Sequence, residues 1–150
     1  MSRVLIIGYG NPLRSDDGFG WHAAEAIASH FRDCPDVHVM SCQQLTPDLS
    51  DDLSCAELVV FIDASRALPP GELKIEELLD QSSGDAPYTS AFTHHMSPSG
   101  LLHLCQDLWG RAPRAFLFTV GASYYDQGEK LSGPVHRALD SVVSRIATMV

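Results

Sequence analysis

The sequence predicts an α/β fold: three layers, with a mostly parallel five-stranded sheet between helices on both faces. Two observations predict it. Short continuous apolar runs, above all at residues 4–7 and 58–62, lack the in-and-out alternation of a half-exposed strand, so they belong to strands covered on both sides. Segments with helical spacing lie between these runs. Strand and helix therefore alternate along the chain, as a parallel sheet with crossover helices requires.

The elements follow in order. Residues 4–7 form the first strand, and Phe19, Ala23, Ile27 and Phe31 then recur at four-residue steps after Gly18, which predicts a helix. A shorter strand is expected at 37–40. Thr46-Pro47 offers an N-cap and a first-turn proline to a short helix carrying Leu49 and Leu53. Residues 58–62, Leu-Val-Val-Phe-Ile, give the strongest strand signal, and 73–75 the weakest. Loops are expected at 67–71 and across the polar stretch 81–90. Ser97-Pro98 starts a helix with Leu101, Leu104, Cys105 and Leu108. A fifth strand spans 116–120, and Ser132 with Pro134 opens a last helix through Val135, Leu139, Val142, Val143 and Ile146.

Composition narrows the function. The 150 residues are 45% hydrophobic and 19% charged, which suits one globular domain over 1–150. The net charge of −9 disfavours nucleic acid as a partner, because phosphate binding needs clustered Lys and Arg. No apolar run is long enough to span a bilayer, and no signal peptide is expected at Met1-Ser2-Arg3. Cys34, Cys42, Cys55 and Cys105 form no C-x-x-C pair, and are expected as reduced thiols in a cytoplasmic protein.

Three stretches could carry chemistry. The first, Gly8-Tyr9-Gly10-Asn11-Pro12-Leu13-Arg14-Ser15-Asp16-Asp17-Gly18-Phe19-Gly20, is a strand-to-helix turn. A dinucleotide site there would need a glycine at Leu13, and the two acids would repel a pyrophosphate. One acid suffices to cap a helix, and Asp16 is the expected cap, which leaves Asp17 as a candidate ligand. The second is Asp63, at the end of the strongest strand and so at the sheet's carboxyl edge, where open α/β sheets bind ligands. Position alone leaves it open between a ligand and a solvated turn acid with Ser65 and Arg66 as partners. The third is Thr93-His94-His95, in a loop ahead of a capped helix, where one imidazole could reach the same crevice. His22, His30, His38, His103 and His136 are assigned no role. Together Asp17, Asp63 and a histidine make a mixed oxygen and nitrogen set, better suited to nickel or zinc than to magnesium or calcium. No Gly-x-Ser-x-Gly elbow is present and no Cys lies in the three stretches, which argues against a serine or cysteine nucleophile.

These residues resemble the [NiFe]-hydrogenase maturation endopeptidases. The Gly-x-Gly-Asn opening, the acidic pair and the following Gly-x-Gly, together with Phe61-Ile62-Asp63-Ala64, Thr93-His94 and Leu131-Ser132-Gly133-Pro134-Val135, look like that family's segments and cover nearly the whole chain. The resemblance implies a cytoplasmic endopeptidase that removes a C-terminal extension from a hydrogenase large-subunit precursor after nickel insertion; a monomer is expected because the sequence shows no obvious self-pairing stripe. It places the metal-contacting and catalytic set on Asp17, Asp63 and His94, with His94 preferred to His95. The nickel would be supplied by the precursor, and no organic cofactor, nucleic acid or membrane is implied. Gln43-Gln44 replaces the glycines of better-known members, and 121–125 lacks their proline. Two other functions fit the same residues: a stand-alone metallohydrolase of small molecules, and a non-catalytic module that checks nickel loading. Either the metal or a carboxylate could activate water.

Overall fold

The apolar runs at 4–7 and 58–62 grow into the two strands that organise the molecule, β1 (Val4–Tyr9) and β3 (Leu58–Ser65). The computed structural model describes residues 3–79 and 96–150. Around the two central strands stand β2 (Val37–Cys42), β4 (Leu73–Leu78) and β5 (Arg114–Gly121), in the order β2-β1-β3-β5-β4. β1 lies parallel to β2 and β3, and β3 parallel to β5. Only the edge strand β4 is antiparallel, paired with β5. No crossover helix separates β3 from β4, so the chain turns back at 66–72, and β5 later fills the space between them. The expected loop at 81–90 lies outside the described residues.

Helices α1 (Phe19–His30) and α4 (Gly133–Met149) cover one face, and α2 (Leu49–Ser54) and α3 (Pro98–Trp109) the other. Strand periodicity explains the division. Val4, Ile6, Val60 and Ile62 pack with Phe19, Ile27, Val142 and Ile146, whereas Leu5, Ile7, Val59 and Phe61 pack with Leu53, Leu101 and Cys105. Each central strand is thus apolar on both sides, which is why its sequence shows no alternation.

Three local expectations need correcting. Leu108 is exposed, and the buried face of α3 uses Leu102 and His103 beside Leu101 and Cys105, a rotation of the apolar stripe by about one residue. Thr46 and Pro47 form the turn before α2: their carbonyls accept from Leu49 and Ser50, and the helix begins after Asp48. Asp16 caps no helix; its carboxylate reaches a distant loop, described below. Ser97, by contrast, caps α3 as expected, its hydroxyl accepting from Gly100 N–H at 2.9 Å.

Two glycines fix how α1 meets the sheet. A β-carbon on Gly20 would sit 2.6 Å from the backbone N and O of Tyr9 and 2.7 Å from the carbonyl of Ile62. One on Gly8 would overlap the Gly20 carbonyl. The first turn of α1 therefore rests directly on the ends of β1 and β3. Gly20→Ala is expected to lower the unfolding free energy by about 1–3 kcal/mol through overpacking, as measured by urea denaturation; an unchanged midpoint would contradict the contact.

Candidate active site at the carboxyl edge of the sheet

β1 and β3 pair as far as Gly8 and Ile62. One position further, Tyr9 and Asp63 are the next residues in register, and both point to the α2/α3 face by strand periodicity. β1 stays with β2 there, Tyr9 opposite Cys42, while β3 stays with β5, Asp63 opposite Thr119. The sheet opens between them at the point where strand order reverses, the position at which α/β sheets bind ligands. The Tyr9 hydroxyl donates to the Asp63 carboxylate across this opening. Asp63 Oδ1 also accepts from its neighbour Ala64 N–H at 2.8 Å. Ser65 bonds Ala67 and Arg66 turns to Tyr125, so Asp63 is a half-buried member of a crevice, not a solvated turn acid.

Asp17 enters from the β1-to-α1 turn. Its Oδ2 accepts from Asn11 N–H at 2.9 Å, and Gly10, at φ 138°, lets the backbone pass close to the Asp17 carbonyl. The turn continues through a short 3-10 segment, Ser15–Gly18, in which Ser15 holds a left-handed φ of 50°. That strained residue is fixed from outside: its N–H donates to Gly128 O at 2.8 Å and its hydroxyl to Asp126 O at 2.7 Å.

Asp16 completes the tie. Its fully buried carboxylate accepts from Ser132 N–H at 2.7 Å, the Ser132 hydroxyl at 2.8 Å, Ser123 N–H and Tyr124 N–H at 2.9 Å, and the Ser123 hydroxyl at 3.2 Å. It thus binds the β5-to-α4 loop to the β1-to-α1 turn. Burial works to raise its pKa, but the hydrogen bonds from Ser132, Ser123 and Tyr124 together hold it below the usual carboxylate range. Asp63 goes the other way. Burial, followed by the charge of nearby Asp17, pushes it up to about 7, against the hydrogen bonds from Ala64 and Tyr9. Tyr9 is raised by burial and by the Asp63 charge.

Asp17 and Asp63 thus border the same opening, near enough for the charge of one to raise the pKa of the other, although 46 positions in the numbering separate them. His94 and His95 lie outside the described residues; the chain resumes at Met96, buried in the α2/α3 layer, the face to which Asp63 points. Among the described residues no three His, Cys, Asp or Glu side chains are placed to hold a metal ion. Sequence reasoning missed Tyr9 and Tyr125, and it offered Arg66 only as a partner of Asp63, whereas Arg66 stacks on Tyr125. Strand parity could have found Tyr9, since it follows Leu5 and Ile7 on one face. Tyr125 and its contact with Arg66 carry no local signal. A cleft of about 420 Å³ lined by Arg3, Phe31, Asp36 and Glu57 opens at the opposite, amino edge of the sheet.

Solved structures resemble this fold over nearly its whole length. A [NiFe] hydrogenase maturation protease, HycI from Thermococcus kodakarensis KOD1, superposes with a TM-score of 0.75 at 24% identity, over 98% of this chain and 91% of that one. The chain has the maturation-protease fold. A hydrogenase 2 maturation peptidase from Thaumarchaeota archaeon SCGC_AB-539-E09 gives 0.73 at 25% identity, over 99% and 97%. The hydrogenase maturating endopeptidase HybD of E. coli gives 0.74 at 19%, over 98% and 91%. Among curated sequences, the hydrogenase expression/formation protein HupD of Thiocapsa roseopersicina is 35% identical over 72 residues, 47% of this chain. That match spans 33% of HupD's own length. No protein-family model matches the chain. The expected three-layer α/β architecture and the resemblance drawn from the motifs both hold in this maturation-protease fold.

Two measurements check the electrostatics. Carboxyl NMR titration of the isolated protein is expected to place Asp63 near 7, lower in Asp17→Asn and higher in Tyr9→Phe. Because its folded value exceeds the unfolded one, the stabilisation Asp63 provides is complete below about pH 4 and is lost as pH rises through 7. Asp63→Asn should accordingly be more stable than wild type at pH 8, by about 2–4 kcal/mol, with the gain vanishing by pH 4. A wild-type value near 4 would contradict the crevice described. For Asp16→Ala, a loss of about 3 kcal/mol or more is expected at pH 7 in chemical denaturation, since its donors are left without their acceptor. The wild type loses that contribution as pH falls through the lowered pKa of Asp16.

Proposed function

We propose that the protein is an endopeptidase of hydrogenase maturation: it removes the C-terminal extension of a [NiFe]-hydrogenase large-subunit precursor once nickel is in place. The observation that carries this reading is the convergence of Asp17 and Asp63 on the opening between β1 and β3, where the charge of one raises the pKa of the other. Two partly buried carboxylates within each other's field repel, and a divalent cation bound by both relieves that repulsion. The maturation-protease fold of the solved relatives supports the same reading.

In this proposal the cation is substrate. It arrives held by the precursor, and Asp17, Asp63 and His94 complete its coordination, two oxygens and one nitrogen of a type that suits nickel. The ion is the recognition element, so an unloaded precursor docks poorly. Tyr9 orients Asp63 by its hydrogen bond, and Asn11 N–H orients Asp17. Water is activated at this cluster, and no organic cofactor takes part. The protein acts as a cytoplasmic monomer, without nucleic acid or membrane; among the described residues no helix is long and apolar enough to cross a bilayer.

Intact-mass measurement after incubation with nickel-loaded and nickel-free precursor tests the proposal. Loss of the extension is expected from the loaded form alone, and each of Asp17→Ala, Asp63→Ala and His94→Ala should reduce the rate at least about 10²-fold with the circular dichroism spectrum retained. Binding of the loaded precursor without cleavage would make the protein a checking module. Stoichiometric metal in the purified protein, with no action on the precursor, would make it a metallohydrolase of another substrate.

A further inference from the structure

We propose that Arg66 and Tyr125 form the carbonyl-oxygen-binding element of this site, donating hydrogen bonds to the scissile carbonyl oxygen as it becomes charged. The assignment rests on the peptidase reading and names groups that reading does not supply.

The strand ends bring the two together. β3 and β5 remain paired to Ser65 and Gly121, and Ala122 N–H donates to Ser65 O at 2.8 Å, so the chains leaving both strands run side by side. Arg66 follows Asp63 by three residues, and its guanidinium carbon lies 3.9 Å from the centroid of the Tyr125 ring. Arg14, from the turn that carries Asp17, approaches the same ring at 5.9 Å. Tyr125 is half-buried, and its hydroxyl lies within the fields of Arg66, Asp17 and Asp63 alike.

The donor inventory then decides the role. With the cation bound, Asp17 and Asp63 are ionised, and ionised carboxylates only accept, so they cannot stabilise a second negative oxygen. Tyr9 is committed to Asp63. Among the described residues, Arg66 makes no ion pair with a carboxylate within 4.0 Å; it donates one hydrogen bond to the Tyr125 hydroxyl, which leaves the rest of its fork of N–H donors and the hydroxyl's own proton unspent. The Tyr125 loop is also held in advance, by five hydrogen bonds to Asp16 and by the bonds of Ser15 to Asp126 and Gly128. Preorganised donors beside the reacting group are what stabilisation of an oxyanion requires.

The water oxygen bonds to the carbonyl carbon, the carbonyl π pair moves onto oxygen facing Arg66 and Tyr125, and one water proton passes to an oxygen of the Asp17–Asp63 pair that the cation leaves free. The carbonyl then re-forms, the carbon–nitrogen bond breaks, and the departing nitrogen takes that proton. Arg66 and Tyr125 keep their protons throughout.

The test separates binding from cleavage with nickel-loaded precursor. Single-turnover rates are followed by intact mass, and complex formation by calorimetry, for Tyr125→Phe, Arg66→Met and Arg66→Lys. Tyr125→Phe keeps the ring beneath Arg66. Expected are dissociation constants within about threefold of wild type, with cleavage slowed roughly 10²–10³-fold in Arg66→Met, less in Tyr125→Phe, and partly restored in Arg66→Lys. Rates within twofold of wild type in both Arg66→Met and Tyr125→Phe would overturn the assignment, as would affinity falling in step with rate, which marks a docking role. A wild-type protein that binds but never cleaves overturns the peptidase reading, and this assignment with it.

Discussion

The parting of β1 from β3 after Gly8 and Ile62 is the constraint on which the site depends. Were the two strands to stay paired, the Tyr9 and Asp63 side chains would be locked into a continuous sheet surface with no crevice beside them. The parting is enforced sterically. The first turn of α1 lies against the backbone of Tyr9 and Ile62, with Gly20 as the contact point, and Gly8 admits the Gly20 carbonyl. The same contact fixes where α1 begins, and hence where Asp17, just ahead of it, points. Three features of the first stretch, its glycines, its acids and the helix start, are thus consequences of one close approach.

Two adjacent acids take opposite roles because their surroundings differ. Asp16 is more buried than Asp17, yet it stays ionised, because five hydrogen bonds from backbone and hydroxyl donors replace water. It is a tie between loops and has no capacity left for a ligand. Asp17 accepts one backbone hydrogen bond, from Asn11, and lies in the field of Asp63, so acceptor capacity is left over. In the proposed reaction this arrangement accepts a cation that another protein brings. The tie through Asp16 also fixes the loop carrying Tyr125 to the turn that carries Asp17.

Much of the fold was legible in the sequence because its signals are local. The runs at 4–7 and 58–62 are apolar at every position, and both faces of the sheet are covered. Ser97-Pro98 reads as a helix start because capping is decided within four residues. The acids were legible as candidates, Asp63 because it ends a buried run. Features set by distant contacts were not. Asp16 looked like a cap because its partners, Ser123, Tyr124 and Ser132, lie more than 100 positions away. Leu108 looked buried because spacing alone cannot fix which edge of an apolar stripe meets solvent. Arg66 and Tyr125 meet only because β3 and β5 are neighbours, a matter of strand order.

The most direct test of the account is nickel K-edge X-ray absorption on the complex between nickel-loaded precursor and this protein, trapped before cleavage. The account predicts that oxygen and nitrogen ligands join the precursor's sulfur shell when the complex forms, and that fewer do so with Asp17→Ala or Asp63→Ala. A spectrum identical to that of the free loaded precursor, in a sample where the complex has formed, would contradict it.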